Sequence, residues 1–236
     1  MTEQHYVGGE LELFAAAERW KDYWASQIKP YIRGEVLEVG AGLGSNTPLL
    51  RRGAESRWVC LEPDPALAVA LRAAVAPAAE VRTGTVDSLV AGELFDCILY
   101  IDVLEHIGPD REEVVRAARQ LRPGGHLIVL SPAHGWLFSP FDRAIGHHRR
   151  YTTGALRAMT PATLRVERCF YLDSVGMLAS AANRLLLRQS LPNAGQIRLW
   201  DRVMVPCSRL LDPCLGYSVG KSVVCVWKKE GAKQWM

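Results

Sequence analysis

The chain reads as an α/β protein on one doubly wound, mostly parallel sheet, and three observations predict it. An apolar run from Val36 to Val39 feeds a turn with glycines at 40, 42 and 44. A second run, Arg57 to Glu62, ends in a carboxylate eighteen residues beyond Gly44. Strand-like and helix-like segments then alternate to about residue 131, a pattern that demands parallel pairing through right-handed crossovers.

Glycine lacks Cβ, so the backbone of the first turn can take positive φ and a ligand can lie against the chain itself. In open α/β sheets this strand-to-helix turn is where a nucleotide-like ligand sits. Gly40, Gly42 and Gly44 fall at alternate positions, unlike the G-x-G-x-x-G of a dinucleotide site, which leans away from a nicotinamide and toward another adenosyl ligand. Glu38, just ahead of the turn, would repel a pyrophosphate but suits a cationic ligand. Glu62 stands at the tip of the second strand, where a carboxylate accepts hydrogen bonds from both hydroxyls of a ribose. Pro63 stops that strand, and Asp64 is placed to cap the next helix.

The stretch Val36-Leu37-Glu38-Val39-Gly40-Ala41-Gly42-Leu43-Gly44-Ser45-Asn46 resembles motif I of the class I S-adenosylmethionine-dependent methyltransferases. Further segments resemble the same family in the same order: the strand Phe95-Asp96-Cys97-Ile98, then Asp102-Val103-Leu104-Glu105-His106, then the turn Leu121-Arg122-Pro123-Gly124-Gly125 before a fifth strand from His126 to Leu130. Independent local signals that agree on one topology carry more weight than any one of them. The resemblance implies a Rossmann-like sheet of seven strands, with Leu164 to Phe170 as the sixth and Ser222 to Trp227 as an antiparallel seventh. It also implies S-adenosylmethionine as cofactor, held by Glu38, Gly40, Gly42, Gly44, Asn46, Glu62, Asp64 and Asp102. The family often carries Gly-Asp-Ala after its third strand, whereas this chain has Gly84-Thr85-Val86-Asp87. Thr85 replaces the aspartate that reads adenine, leaving that task to the backbone of Val86 or to Asp87, unless Asp87 is a plain loop residue.

With 236 residues, about half of them apolar, the chain can bury a substantial core. Residues 1–236 are read as a single methyltransferase domain, with 1–33 a leading helical segment and 172–221 a helical insertion before the last strand. A formal charge of +3 is too small to imply nucleic acid. Six cysteines without a C-x-x-C pair read as reduced residues of a cytoplasmic protein, not as disulfides or metal ligands. Met1 to Tyr6 lack a basic segment followed by an apolar stretch, so no signal peptide is expected. The most apolar segment, Val175 to Leu187, is interrupted by Asn183 and Arg184, which argues against a membrane span.

Leu11 to Tyr31 has helical spacing, with Leu13, Phe14, Ala17, Trp20, Tyr23 and Trp24 on one face. In the family such a helix covers the ligand. Roughly fifty residues separate Phe170 from Ser222, too many for a structureless loop. Ser174 to Gln189 and Gln196 to Leu211 read as helices, broken at Leu191-Pro192-Asn193 and Val205-Pro206. In the second, Leu199, Trp200, Val203 and Met204 form an apolar face, with Arg198, Asp201, Arg202 and Arg209 polar. Three uses compete: packing on the core, a lid or homodimer contact, and peripheral membrane contact through 174–211.

Open α/β sheets keep their crevice beyond the carboxyl ends of the strands, so the segment from Ser131 to Tyr151 should choose the methyl acceptor. Its Asp142, Gly146, His147, Arg149, Arg150 and Tyr151 resemble a D-x-x-x-G-H-x-R-R-Y subgroup of bacterial methyltransferases, many associated with glycan or lipid-linked biosynthesis. The implied acceptor is a small or lipid- or glycan-linked metabolite, and a candidate base and anion clamp favour oxygen over nitrogen or carbon as the methylated atom. A hydroxyl must lose its proton, which an imidazole can take. His147, oriented by Asp142, or His106 would supply one, unless His106 only stabilises its turn. A carboxylate or phosphate needs no base, and Arg149 with Arg150 would clamp it, unless Arg149 pairs with Asp142; Tyr151 completes the acceptor set. Two other classes remain in view: a noncatalytic S-adenosylmethionine-binding partner subunit, which would tolerate loss of these residues, and a nicotinamide-dependent oxidoreductase.

Overall fold

The computed structural model describes residues 17–53, 55–182 and 194–231. Seven strands form one sheet: β1 Glu35–Val39, β2 Arg57–Glu62, β3 Glu80–Thr83, β4 Phe95–Ile101, β5 Leu121–Pro132, β6 Leu164–Leu172 and β7 Ser222–Lys229. Their spatial order is β3-β2-β1-β4-β5-β7-β6. The pairs from β3 across to β5 are parallel, whereas β7 runs antiparallel to both β5 and β6. The seven-stranded sheet with an antiparallel seventh strand is therefore as expected. β5 begins five residues earlier than the run from His126, because the Arg-Pro-Gly-Gly segment is absorbed as an irregularity: pairing passes from Phe95 with Leu121 directly to Cys97 with His126.

Side chains alternate across a strand, and the two faces of the sheet bury separate cores. Val36, Cys60, Leu99, Ile128 and Val226 face one layer, packed by α1 (Glu18–Ile28) and by Leu71 and Val75 of α3 (Pro65–Val75), with the short α2 (Thr47–Leu50) between them. Leu37, Val59, Tyr100, Val129 and Cys225 face the other, covered by α4 (Asp110–Arg119) and, beyond the short α5 (Pro140–Ala144), by α6 (Thr153–Ala158). Each fully buried aliphatic side chain contributes about 1.5–3 kcal/mol. Asp64 caps α3 as expected, its Oδ1 accepting from the amides of Ala66 at 2.7 Å and Leu67 at 3.1 Å.

The insertion comprises α7 (Ser174–Ala182), α8 (Ala194–Leu199), a π-helical turn (Trp200–Met204) and α9 (Val205–Cys214). Residues 183–193, with Asn183, Arg184 and the expected break at Leu191-Pro192-Asn193, lie outside the described residues, as do Leu13 and Phe14 of the leading helix. The expected break at Val205-Pro206 does not occur. Val205 reaches back five residues to the carbonyl of Trp200, and this wider turn accommodates a proline in the first turn of α9.

Asp201 does not sit on a solvated polar face either. It is buried and accepts from the amides of Trp20 (2.9 Å) and Arg19 (3.4 Å), satisfying free N–H groups at the start of α1. Asp212 accepts from the Tyr23 hydroxyl at 2.8 Å and the Asp173 amide at 2.7 Å. Through these two carboxylates the inner face of the insertion locks onto α1 and the end of β6. No helix among the described residues is long and apolar enough to cross a membrane.

Candidate active site

The carboxyl ends of β1, β2, β4, β5 and β6 converge on one crevice. Gly40, Gly42 and Gly44 have φ of +65°, +56° and +77°, a region closed to most other residues. A Cβ at Gly40 would come within 2.8 Å of Val103, and one at Gly44 within 2.7 Å of Leu71, but at Gly42 it would meet nothing within 4 Å. The outer glycines answer to packing, and Gly42 presents the open face on which a ligand can rest. Asn46 follows at the N-cap of α2 without a side-chain capping bond.

Glu62 is buried and accepts from the amide of Gly42 at 2.8 Å through Oε2 and from that of Asp64 at 3.1 Å through Oε1. Desolvation raises its pKa, opposed by those two amides. Each carboxylate oxygen accepts more than one hydrogen bond, so capacity remains for two ribose hydroxyls. Glu38 is deeper: its Oε2 accepts from Thr47 (2.8 Å) and Trp58 Nε1 (3.0 Å), tying β1 to the start of α2 and to β2. Val86 is buried at the head of a 3₁₀ turn. Asp87 points outward and pairs with Arg116 of α4 at 3.2 Å, so the structure gives that carboxylate a surface partner.

Asp102 ends β4 with φ +53°, a strained geometry for a residue other than glycine. Its carboxyl is open to the crevice yet hemmed by protein, and the resulting desolvation raises its pKa to about 6 against the pull of nearby His147 and Lys221. Lys221, just ahead of β7, lies 3.6 Å from Asp173 and 3.6 Å above the Trp200 ring.

The acceptor-side segment is a loop closed at its base. Ala133 bridges to Tyr151, the Tyr151 amide donates to Pro132, and the His134 amide donates to Tyr151. Within it Ser139 and Asp142 form a capping box on α5, which fixes the Asp142 carboxylate beneath the loop. His147 Nδ1 lies 2.9 Å from Asp142 Oδ1, and Arg150 donates to both Asp142 oxygens at 2.8 and 2.9 Å. Burial opposes ionisation of Asp142, but the hydrogen bonds from His147, Arg150 and Ser139 prevail and hold its pKa well below the usual carboxylate range.

On the other side of the imidazole, His147 Nε2 lies 3.8 Å from Glu105 Oε1. Glu105 is fully buried; Oε2 accepts from Ser131 at 2.9 Å, while Oε1 has no hydrogen-bond partner. Desolvation, reinforced by Asp102, pushes its pKa well above the usual value. His106 packs edge-on against His147 with ring centres 4.5 Å apart. Burial and the neighbouring His147 and His148 lower its pKa to about 4, so it is neutral and a weak base at pH 7.

Three acceptor-side expectations change. Arg150 is committed to Asp142, and Arg149 is held by Asp110 (2.8 Å) and the Gly108 carbonyl (2.8 Å), so the two cations are paired instead of forming an open anion clamp. Tyr151 is turned inward, its hydroxyl donating to Asp110 at 2.8 Å and to the Leu104 carbonyl at 3.2 Å; burial raises its pKa, and it anchors the loop. Sequence reasoning also missed Glu105, whose place in a polar motif hides its burial, and Lys221, which no local pattern marks.

This constellation, a glycine turn with an acid at the next strand tip and a histidine-carboxylate pair across the crevice, lies on a Rossmann-like methyltransferase fold. Residues 37–129 match the model of the family described as a methyltransferase domain. A ubiquinone biosynthesis O-methyltransferase of Azorhizobium caulinodans is 32% identical over 110 residues, 44% of this chain and 43% of the relative. The chain thus matches less than half the length of that curated relative. The N-methyltransferase NodS from Bradyrhizobium japonicum WM9, in complex with S-adenosyl-L-homocysteine, superposes with TM-score 0.59 at 13% identity, over 92% of this chain and 89% of that one. The [4+2]-cyclase SpnF superposes with TM-score 0.61 at 14% identity, over 89% and 82%. The family model thus matches residues 37–129 of this chain, and the superposed structures share its Rossmann-like fold.

Proposed function

We propose that the protein transfers a methyl group from S-adenosylmethionine to a hydroxyl oxygen of a small or lipid- or glycan-linked metabolite, with His147 as general base. The single observation that carries this reading is the 2.9 Å contact between His147 Nδ1 and a buried Asp142, itself kept ionised by Arg150. An Nδ1–H donated to Asp142 fixes the tautomer and leaves the Nε2 lone pair to take the acceptor's proton. The similarity to an O-methyltransferase supports oxygen as the target.

The cofactor would supply the electrophilic methyl, and the rest falls to the chain. Gly42 offers the cradle and Glu62 the ribose acceptors, while Asp102 places negative charge in the crevice where a sulfonium is favoured. Holding the acceptor oxygen in line at near-attack distance supplies much of the rate.

Transfer of labelled methyl to a panel of phenolic and lipid-linked alcohols should fall about 10²–10⁴-fold in His147→Ala, with cofactor affinity unchanged by calorimetry and partial rescue by added imidazole. Glu62→Ala should instead weaken cofactor binding by about 10–100-fold, the loss of charge-assisted hydrogen bonds. Full activity of His147→Ala on a hydroxyl acceptor would sink the base assignment.

A further inference from the structure

We propose that the outer face of the insertion, from Ala194 to Leu215, docks the protein on an anionic phospholipid bilayer. One side of this segment is committed inward: Ile197, Trp200, Asp201, Val205, Ser208 and Asp212 are all buried. The opposite side is an apolar crest facing solvent. Leu199 is 53% exposed, Val203 52% and Leu210 75%, with Leu211, Leu215 and Cys207 alongside. The recurrence at 199, 203, 207, 210 or 211 and 215 follows helical spacing through the π-helical turn at Trp200–Met204.

Charge selects the occupant. Arg198, Arg202 and Arg209 are exposed beside the crest, and among the described residues none has a carboxylate partner within ion-pair distance. The two acids of the segment, Asp201 and Asp212, are both spent inward on α1 and β6. The charges this segment itself turns outward beside its apolar crest are therefore all cationic, with Asp22 of α1 the acid that shares a small pocket with Arg209. That combination fits the boundary of acyl chains and acidic headgroups, where an amphipathic helix lies in the plane of the interface. A protein partner, or a second copy of this chain, would have to supply both an apolar groove and a row of carboxylates. The inward Trp200 of this segment contacts Lys221 at the crevice, so docking would bring the crevice close to the bilayer.

The test is flotation of the full chain with vesicles of phosphatidylcholine alone or enriched in phosphatidylglycerol. Binding to the anionic vesicles is expected to be about tenfold tighter or more, weakening as salt is raised. Leu210→Glu, at the most exposed position of the crest, should reduce it at least about tenfold. Arg198→Ala with Arg202→Ala should reduce binding about tenfold or more, since each cation near such a surface contributes about fivefold. Calorimetric titration with S-adenosylmethionine shows that each variant is folded, and it reports on the methyltransferase reading independently of the vesicles. The proposal is overturned by absence of binding to anionic vesicles, or by binding that Leu210→Glu leaves unchanged. A sedimentation dimer that Leu210→Glu dissolves would also overturn it, assigning the crest to a second copy.

Discussion

The two ends of the sheet carry the same kinds of residue and use them in opposite ways. At the amino ends of the strands Arg57 reaches Glu35, Glu80 and Glu93, Arg82 reaches Glu80 and Glu93, and Arg122 reaches Glu35 and Asp96. These side chains are partly solvated, and each carboxylate has a cation. At the carboxyl ends Asp142, Glu105 and His147 are buried, Glu105 keeps an oxygen without a partner, and the two acids are driven apart, Asp142 below its ordinary pKa and Glu105 above it. Neighbouring carboxyls whose environments push their pKa values apart are the pattern expected of a proton-transfer site, as the proposed role of His147 requires, whereas a saturated, wet network is the pattern of a clasp.

The contrast breaks first at Asp142. Replacing it with alanine leaves the largely covered Arg150 without its counter-charge and removes the cap of α5. Stranding one member of a buried pair costs about 3–5 kcal/mol, so thermal melting should fall by about 10 °C. Asp142→Asn keeps the shape but not the charge, and should spare more stability than activity. A melting point within a degree or so of wild type in Asp142→Ala would show that the loop is not held from beneath.

The cofactor half of the crevice was legible in the sequence because its parts are local. A turn, a strand tip and a helix cap each follow from a few neighbouring residues, and Gly42 of the first strand-turn-helix unit meets Glu62 and Asp64 of the next, only about twenty residues on. The acceptor half was only partly legible. Its residues cluster in the chain, but their pairing depends on the Ser139 capping box, which brings Asp142 under the loop and claims Arg150. Likewise Asp201 looks like a surface residue until α1, 181 positions away in the chain, presents its free amide. Pro206 was misread for a different reason: a helix can absorb a proline by widening one turn, and residue type alone does not reveal that.

Glu105→Gln sharpens the same comparison through pH. A carboxyl whose folded pKa is raised stays protonated in the fold where the unfolded chain already ionises. Its contribution to stability is therefore full below the unfolded value of 4.5 and is lost as pH rises toward the folded one. Glutamine, which never ionises, escapes that loss. The variant should match wild type near pH 4 and melt higher at pH 8, by about 2–4 °C for each kcal/mol recovered. Equal melting curves at both pH values would mean that Glu105 ionises freely despite its burial.

The smallest effect belongs to the clasp. Arg57 engages three carboxylates, but its side chain is 32% exposed and that of Glu80 45%, so water and salt already screen much of the attraction. Exposed pairs are worth about 0–1 kcal/mol each and their contributions do not simply add. Removing the guanidinium leaves Arg82 with Glu80 and Glu93 and leaves Arg122 with Glu35, so no charge is stranded without a partner. Arg57→Ala should therefore lower stability by about 1 kcal/mol, a melting shift of roughly 2–4 °C that shrinks further in high salt, with cofactor affinity and methyl transfer unchanged. A loss as large as that at Asp142, or any change in cofactor binding, would mean that the amino ends of the strands are coupled to the crevice and that the two ends are not separate devices.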